Sequence, residues 1–184
     1  MKSVLASLAP YYYYLIGEGI KKIEARKNVP KDPTWSKGTW LYMTKDEQSF
    51  SKIPKEFQEK YRKHFGRVGL HFVCDQQVWL LAHPSIFAGH PLFYSKAIED
   101  ACLTRDEVER YSGGKNVIGW HISDLKIYDE PKELIEFCIW KKCNSCRDTG
   151  YESTACRYDE DCRVPSVITR PPQSWCYVEE RSAT

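Results

Sequence analysis

The sequence predicts an α+β fold: a mixed, mostly antiparallel β-barrel with short peripheral helices and a small cysteine-rich lobe near the C-terminus. Three observations lead there. Several β-prone runs are separated by short helical stretches, without the regular alternation of a βαβ protein. Apolar residues make up 42% and aromatics 14% of 184 residues, enough for one core. Six of the eight cysteines crowd the last quarter of the chain, in a segment poor in large apolar side chains.

Residues 3–8 read as a short strand, and Pro10 opens a helix to Ile16, since proline's missing N–H is no loss in a first turn. Gly17 and Gly19 end it. Residues 20–27 follow as a strand with Ile23 and Ala25 on one face and Lys22, Glu24 and Arg26 on the other. Pro30 and Pro33 break it. Residues 38–43 are the next strand, and residues 54–64 an amphipathic helix with Phe57 and Tyr61 on its buried side. Residues 68–81 form a long β run, interrupted by a turn or bulge at Asp75, Gln76 and Gln77; residues 83–91 are loop. Thr104 and Glu107 have capping-box spacing at the start of a helix that Gly113 and Gly114 stop. Residues 117–128 read as a strand, 131–137 as a short helix, and 174–179 as the closing strand. Residues 138–165 show little periodicity and need a cross-link to fold. The expected division is therefore a barrel of residues 1–137 plus 166–184 with residues 138–165 inserted.

A mean hydropathy of −0.56 and no apolar run near the roughly 20 residues of a membrane span exclude a membrane protein. The apolar start is too brief for a signal peptide, and Tyr11 to Tyr14 stand where a cleavage site would be, so a cytoplasmic location is expected. A net charge of +2 from 27 basic and 25 acidic groups excludes a histone-like polycation but permits local patches.

Gly19-x-Lys21-x-x-Glu24-x-Arg26, placed after a strand and helix, resembles the signature of ASCH domains, small β-barrels of the PUA-like superfamily associated with RNA. The segments Gly119-Trp120-His121-Ile122-Ser123-Asp124-Leu125 and Arg170 to Val178 resemble a subset found in phages and prophages of Gram-positive bacteria. Some phage proteins of this kind inhibit CRISPR-associated nucleases. The resemblance covers most of the chain and implies a barrel whose cleft holds Lys21, Glu24 and Arg26.

Cys143-x2-Cys146 has the spacing of a zinc knuckle, whose short loop turns two thiolates toward one ion. Cys156 and Cys162 complete a tetrahedral four-cysteine set, with Cys138 as a possible replacement for one member. Reduced thiols are expected in a cytosolic chain, and clustered ones favour metal over disulfides. Four thiolates leave no open coordination position, so one Zn²⁺ per chain is expected in a structural role. Cys138 and Cys176 read as buried apolar thiols.

Two basic runs, Lys21 to Lys31 and Lys52 to Lys63, would form a phosphate-binding groove if they faced one side, although a charge run is more often a solvated face. Glu24 and Arg26, two apart on a strand face, are placed to pair. Asp159, Glu160 and Asp161 make the lobe acidic, a surface suited to a basic nucleic-acid channel on a partner protein.

No catalytic residue is expected. Amidohydrolases resembling ASCH proteins use a Lys and a Thr three residues later, and here Glu24 stands at the Thr position. Lys21, Glu24 and His121 could supply acid–base groups to a ribonuclease, but His121 beside Trp120 reads as a core histidine. Trp35, Trp40, Trp79 and Trp175 are core candidates. The favoured expectation is a non-enzymatic phage inhibitor of a host CRISPR-associated nuclease; the alternative is an ASCH-type RNA- or DNA-binding module or nucleic-acid-processing enzyme.

Overall fold

In the computed structural model, which describes residues 3–32, 35, 38–83, 90–142 and 163–181, nine strands form one sheet with helices packed against it. In chain order they are β1 (Ser3–Leu8), α1 (Pro10–Gly17), β2 (Ile23–Arg26), β3 (Thr39–Met43), α2 (Glu47–Phe50), α3 (Lys55–Arg62), β4 (Val68–Ala82), β5 (Leu92–Phe93), α4 (Ser95–Asp100), α5 (Arg105–Ser112), β6 (Val117–Lys132), β7 (Phe137–Lys142), β8 (Arg163–Val167) and β9 (Trp175–Glu180). The strands are ordered β2-β6-β4-β3-β1-β9-β7-β8, with β5 added to β4. Only β1 and β3 run parallel; the other ladders are antiparallel. The mixed α+β class is as expected, but the barrel is not closed: among the described residues no ladder joins β2 to β8.

Local chemistry accounts for most elements. Pro10 occupies the first turn of α1, and the left-handed Gly19 (φ 69) redirects the chain after it. Thr104 and Glu107 form the expected capping box on α5, and Gly113 (φ 55) ends that helix. The β4–β6 register shifts between Cys74 and Gln77, the bulge placed by sequence at residues 75–77.

β1 has no polar face because both of its sides are covered. Val4, Ala6 and Leu8 enter a core with Tyr13, Ile16, Leu41, Phe72 and Trp120, whereas Leu5 turns to a second core with Trp40, Val68, Phe137 and Val178. Each large apolar side chain among these contributes roughly 1.5–3 kcal/mol by leaving water, so the two cores outweigh any single polar contact in the sheet. A third core, of Ile23, Leu80, Ile98, Val108 and Val117, seats α4 and α5 over the β2–β6–β4 end.

Several expectations fail. Residues 131–137 are not a helix: β6 extends to Lys132, a 3₁₀ turn covers Leu134–Glu136, and β7 starts at Phe137. The segment expected to lack periodicity begins and ends in paired strands, with Cys138 opposite Val167 and Lys142 opposite Arg163. Strand pairing supplies there the order that local propensity does not. Trp35 and Trp40 are buried, but Trp175 is half-buried and Trp79 is 43% exposed on the outer side of β4. Cys138 is buried as expected; Cys176 is only partly so. Among the described residues no helix is long and apolar enough to cross a membrane.

Candidate functional site

The sharp turn at Gly19 places Lys21 under the sheet end. Ile20 and Lys21 donate their main-chain N–H groups back to the Leu15 oxygen at 2.9 and 3.0 Å. Lys22 is pinned on both sides, donating to the Asp100 oxygen at 2.8 Å and accepting from the Ile122 N–H at 2.9 Å. With the backbone held this way, the Lys21 side chain points inward and its Nζ donates to the Ala101 oxygen at 2.6 Å.

Lys21, Glu24 and Arg26 are 3%, 4% and 5% exposed, so the two cations among them leave the solvated face on which Lys22 and Lys31 remain. Glu24 binds both cations: Oε2 lies 3.6 Å from Lys21 Nζ and Oε1 lies 2.9 Å from Arg26 Nη2. Arg26 also donates to the main-chain oxygens of Ser7 at 3.0 Å and Ser174 at 3.2 Å, and its guanidinium lies over the Trp120 ring. Its Nε has no hydrogen-bond partner among the described residues. Burial lowers the Lys21 pKa, an effect that Glu24 opposes by attraction and Arg26 reinforces by repulsion.

These three side chains floor a cleft of about 250 Å³ whose walls include Tyr12, Glu107 and Tyr111. Lys21 Nζ lies 5.3 Å from the Tyr12 ring centre, and Lys27 Nζ lies 4.9 Å from that of Tyr111. Burial raises both phenol pKa values, so each hydroxyl stays a neutral donor near pH 7. Glu107 is held by the α5 cap, accepting from Thr104 N at 2.7 Å. The cleft therefore offers two aromatic walls, carboxylate acceptors and cationic donors within a small volume. The capping box and the tyrosine run are both visible in the sequence, but nothing local shows that they share a cleft.

The second basic run does not join this site. None of residues 52–64 lines the cleft; Lys60 pairs with Glu18 at 2.6 Å, Arg62 with Glu47 at 2.9 Å and Lys63 with Asp129 at 3.5 Å. His121 does not join it either. It pairs with Ile23 while Trp120 pairs with Glu24, and successive pairs in a ladder face opposite sides of the sheet. Nor is His121 a core histidine: it is partly exposed, with Nδ1 2.6 Å from Asp75 Oδ1. Cys143, Cys146, Cys156, Cys162, Asp159, Glu160 and Asp161 lie outside the described residues.

No protein-family model matches the chain, and no curated protein matches it. Among solved structures it is similar to the crystal structure of ASCH from Zymomonas mobilis, with 14% identity, coverage of 96% of this chain and 87% of that chain, and a TM-score of 0.48. A single-residue mutant of the same Zymomonas mobilis protein is similar at 14% identity, covering 97% of this chain and 91% of that one with a TM-score of 0.49. Likeness at this distance carries no inference about activity or ligand.

Proposed function

We propose that the chain is an ASCH-type binding module for single-stranded RNA that seats one unpaired base in the Lys21–Glu24–Arg26 cleft. The observation that carries this reading is the burial of three charges at the floor of a cleft with tyrosine walls. Apolar residues would fill such a space at lower cost, because taking ions out of water is expensive even when they are paired. A buried lysine whose pKa is lowered by burial at a cleft, as Lys21 is, is typical of functional sites. At about 250 Å³ the cleft falls just below the roughly 300–1,000 Å³ of sites for drug-sized ligands, a size suited to one planar polar group. Tyrosine rings stack on a base of any sequence, and carboxylate and cationic groups match the mixed donors and acceptors of a base edge. Lys21 Nζ is fixed on the Ala101 oxygen and on Glu24, which suits binding better than proton transfer.

Fluorescence anisotropy with labelled single-stranded RNA, single-stranded DNA and duplex RNA tests the reading. Single-stranded RNA should bind best. Tyr111→Ala should weaken it about tenfold, the loss of one stacked base, while Tyr111→Phe stays near wild type. Equal binding of duplex, preference for DNA, or an unchanged Tyr111→Ala variant would refute it.

We also propose a structural Zn²⁺ on Cys143, Cys146, Cys156 and Cys162. Its support is the β7–β8 ladder, whose last pair is Lys142 and Arg163. In the sequence Cys143 follows Lys142 and Cys162 precedes Arg163, and the pairs 143/146 and 156/162 supply four thiolates for a tetrahedral site. The inhibitor reading, in which Asp159, Glu160 and Asp161 contact a CRISPR-associated nuclease, rests on the phage-type motifs and the lobe's acidity alone.

A further inference from the structure

We infer that the groove on the far side of Leu103 is a second nucleotide subsite, in which the neighbouring base of the strand stacks on Arg105. This rests on the single-stranded RNA reading of the cleft. Leu103 lines both spaces, so a chain leaving the cleft over this side chain enters the groove directly. The groove encloses about 480 Å³ between β5, α4 and the start of α5, with Phe93 and Arg105 in its lining.

The local structure builds an aromatic–cation platform there. Phe93 is fixed by the ladder to Leu81, and the following Tyr94 N–H donates to the Leu80 oxygen at 3.0 Å. The Arg105 guanidinium lies 4.0 Å from the Phe93 ring centre. Glu99 also lines the groove, and its charge is paired: Lys96 Nζ lies 3.5 Å from Glu99 and 2.8 Å from Asp100. Among the described residues Arg105 has neither a hydrogen bond nor an ion pair, so its outer face and its N–H edge are both free. A planar cation lying over a ring, exposed and unpaired, suits a base on its face and a phosphate at its edge. A lysine in its place would supply charge without a stacking plane.

Affinities of the four ribonucleoside 5′-monophosphates and the matching homodinucleotides, measured by calorimetry, test the inference. Wild type should bind at least one dinucleotide about tenfold more tightly than its mononucleotide. Arg105→Ala should abolish that gain and leave the mononucleotide affinity unchanged, and Arg105→Lys should recover only a minor part of it. A full gain in Arg105→Ala, full recovery in Arg105→Lys, or no gain in wild type overturns the second subsite while the cleft reading stands. Failure of wild type to bind any mononucleotide or dinucleotide overturns both. Arg105 is exposed and outside the three cores, so these variants retain the fold.

Discussion

The Arg26 guanidinium donates to the main-chain oxygen of Ser7 across 3.0 Å, although their strands are far apart in the sheet. β2 and β1 are separated in the ladder by β6, β4 and β3. The contact therefore marks a sheet curled until its β2 end meets the β1–β9 middle, where a side chain replaces the main-chain bonds that would close a barrel. Ser7 and Ser174 are themselves joined there, Ser7 N donating to the Ser174 oxygen at 3.1 Å.

Arg26→Lys should loosen this closure. An ammonium cannot reach Glu24, Ser7 and Ser174 together in the planar geometry of a guanidinium. Losing charge-assisted bonds worth about 1.5–3 kcal/mol each, with partial recovery through Glu24, should lower stability by roughly 2 kcal/mol in urea unfolding. Amide exchange at Ser7 should accelerate. Wild-type stability in the lysine variant would remove the closing role.

Acid should weaken the fold through His64. Burial lowers its pKa to about 4 from 6.5, with Lys63 and Lys60 adding to the effect and Asp129 opposing it. Tyr13 Oη lies 3.0 Å from its Nδ1. The unfolded chain takes up a proton at this ring at higher pH than the folded chain does. Stability from this residue is thus complete above pH 6.5 and declines as pH falls toward 4, by on the order of 2 kcal/mol. Unfolding free energies of wild type and His64→Gln across that range should converge as pH falls. Parallel curves would contradict the assignment.

Gly69→Ala should destabilise by roughly 1–3 kcal/mol, the usual cost of forcing a methyl into a filled core. A Cβ on residue 69 would collide with the His64 ring and the Tyr13 hydroxyl, both on buried residues. The double variant Gly69→Ala/His64→Ala should recover part of the loss in thermal unfolding. Without such recovery, the clash lies elsewhere.

Elemental analysis of reduced protein should find about one zinc per chain, lost in Cys143→Ser and in Cys162→Ser and retained in Cys74→Ser. Cys74 is buried, and its thiol pKa is raised to about 11 chiefly by burial, so it is a poor ligand. Wild-type protein without zinc would remove the metal.

What could be read in advance was set by near neighbours. The α1 start at Pro10, the turn at Gly19, the α5 cap at Thr104 and the bulge after Cys74 each depend on residues a few positions apart, and each stands where expected. Lys21, Glu24 and Arg26 could be grouped by their motif alone. Other outcomes depended on distant strands. Trp79 reads as a core candidate, and only its position on β4 in the curled sheet leaves it exposed. His121 and Glu24 carry equally plausible chemistry in sequence, yet the β2–β6 register sends them to opposite faces.

The sequence by itself determined where β1, α1, β3, α3 and α5 fall, the α5 cap and the identity of the charged trio, because these follow from covalent spacing and short-range hydrogen bonding. The tertiary structure alone decided that the trio is buried, that the sheet stays open and that Tyr12 and Tyr111 flank one cleft. Burial and pairing across more than a hundred residues arise from the packing of separate cores, whose arrangement no local pattern encodes.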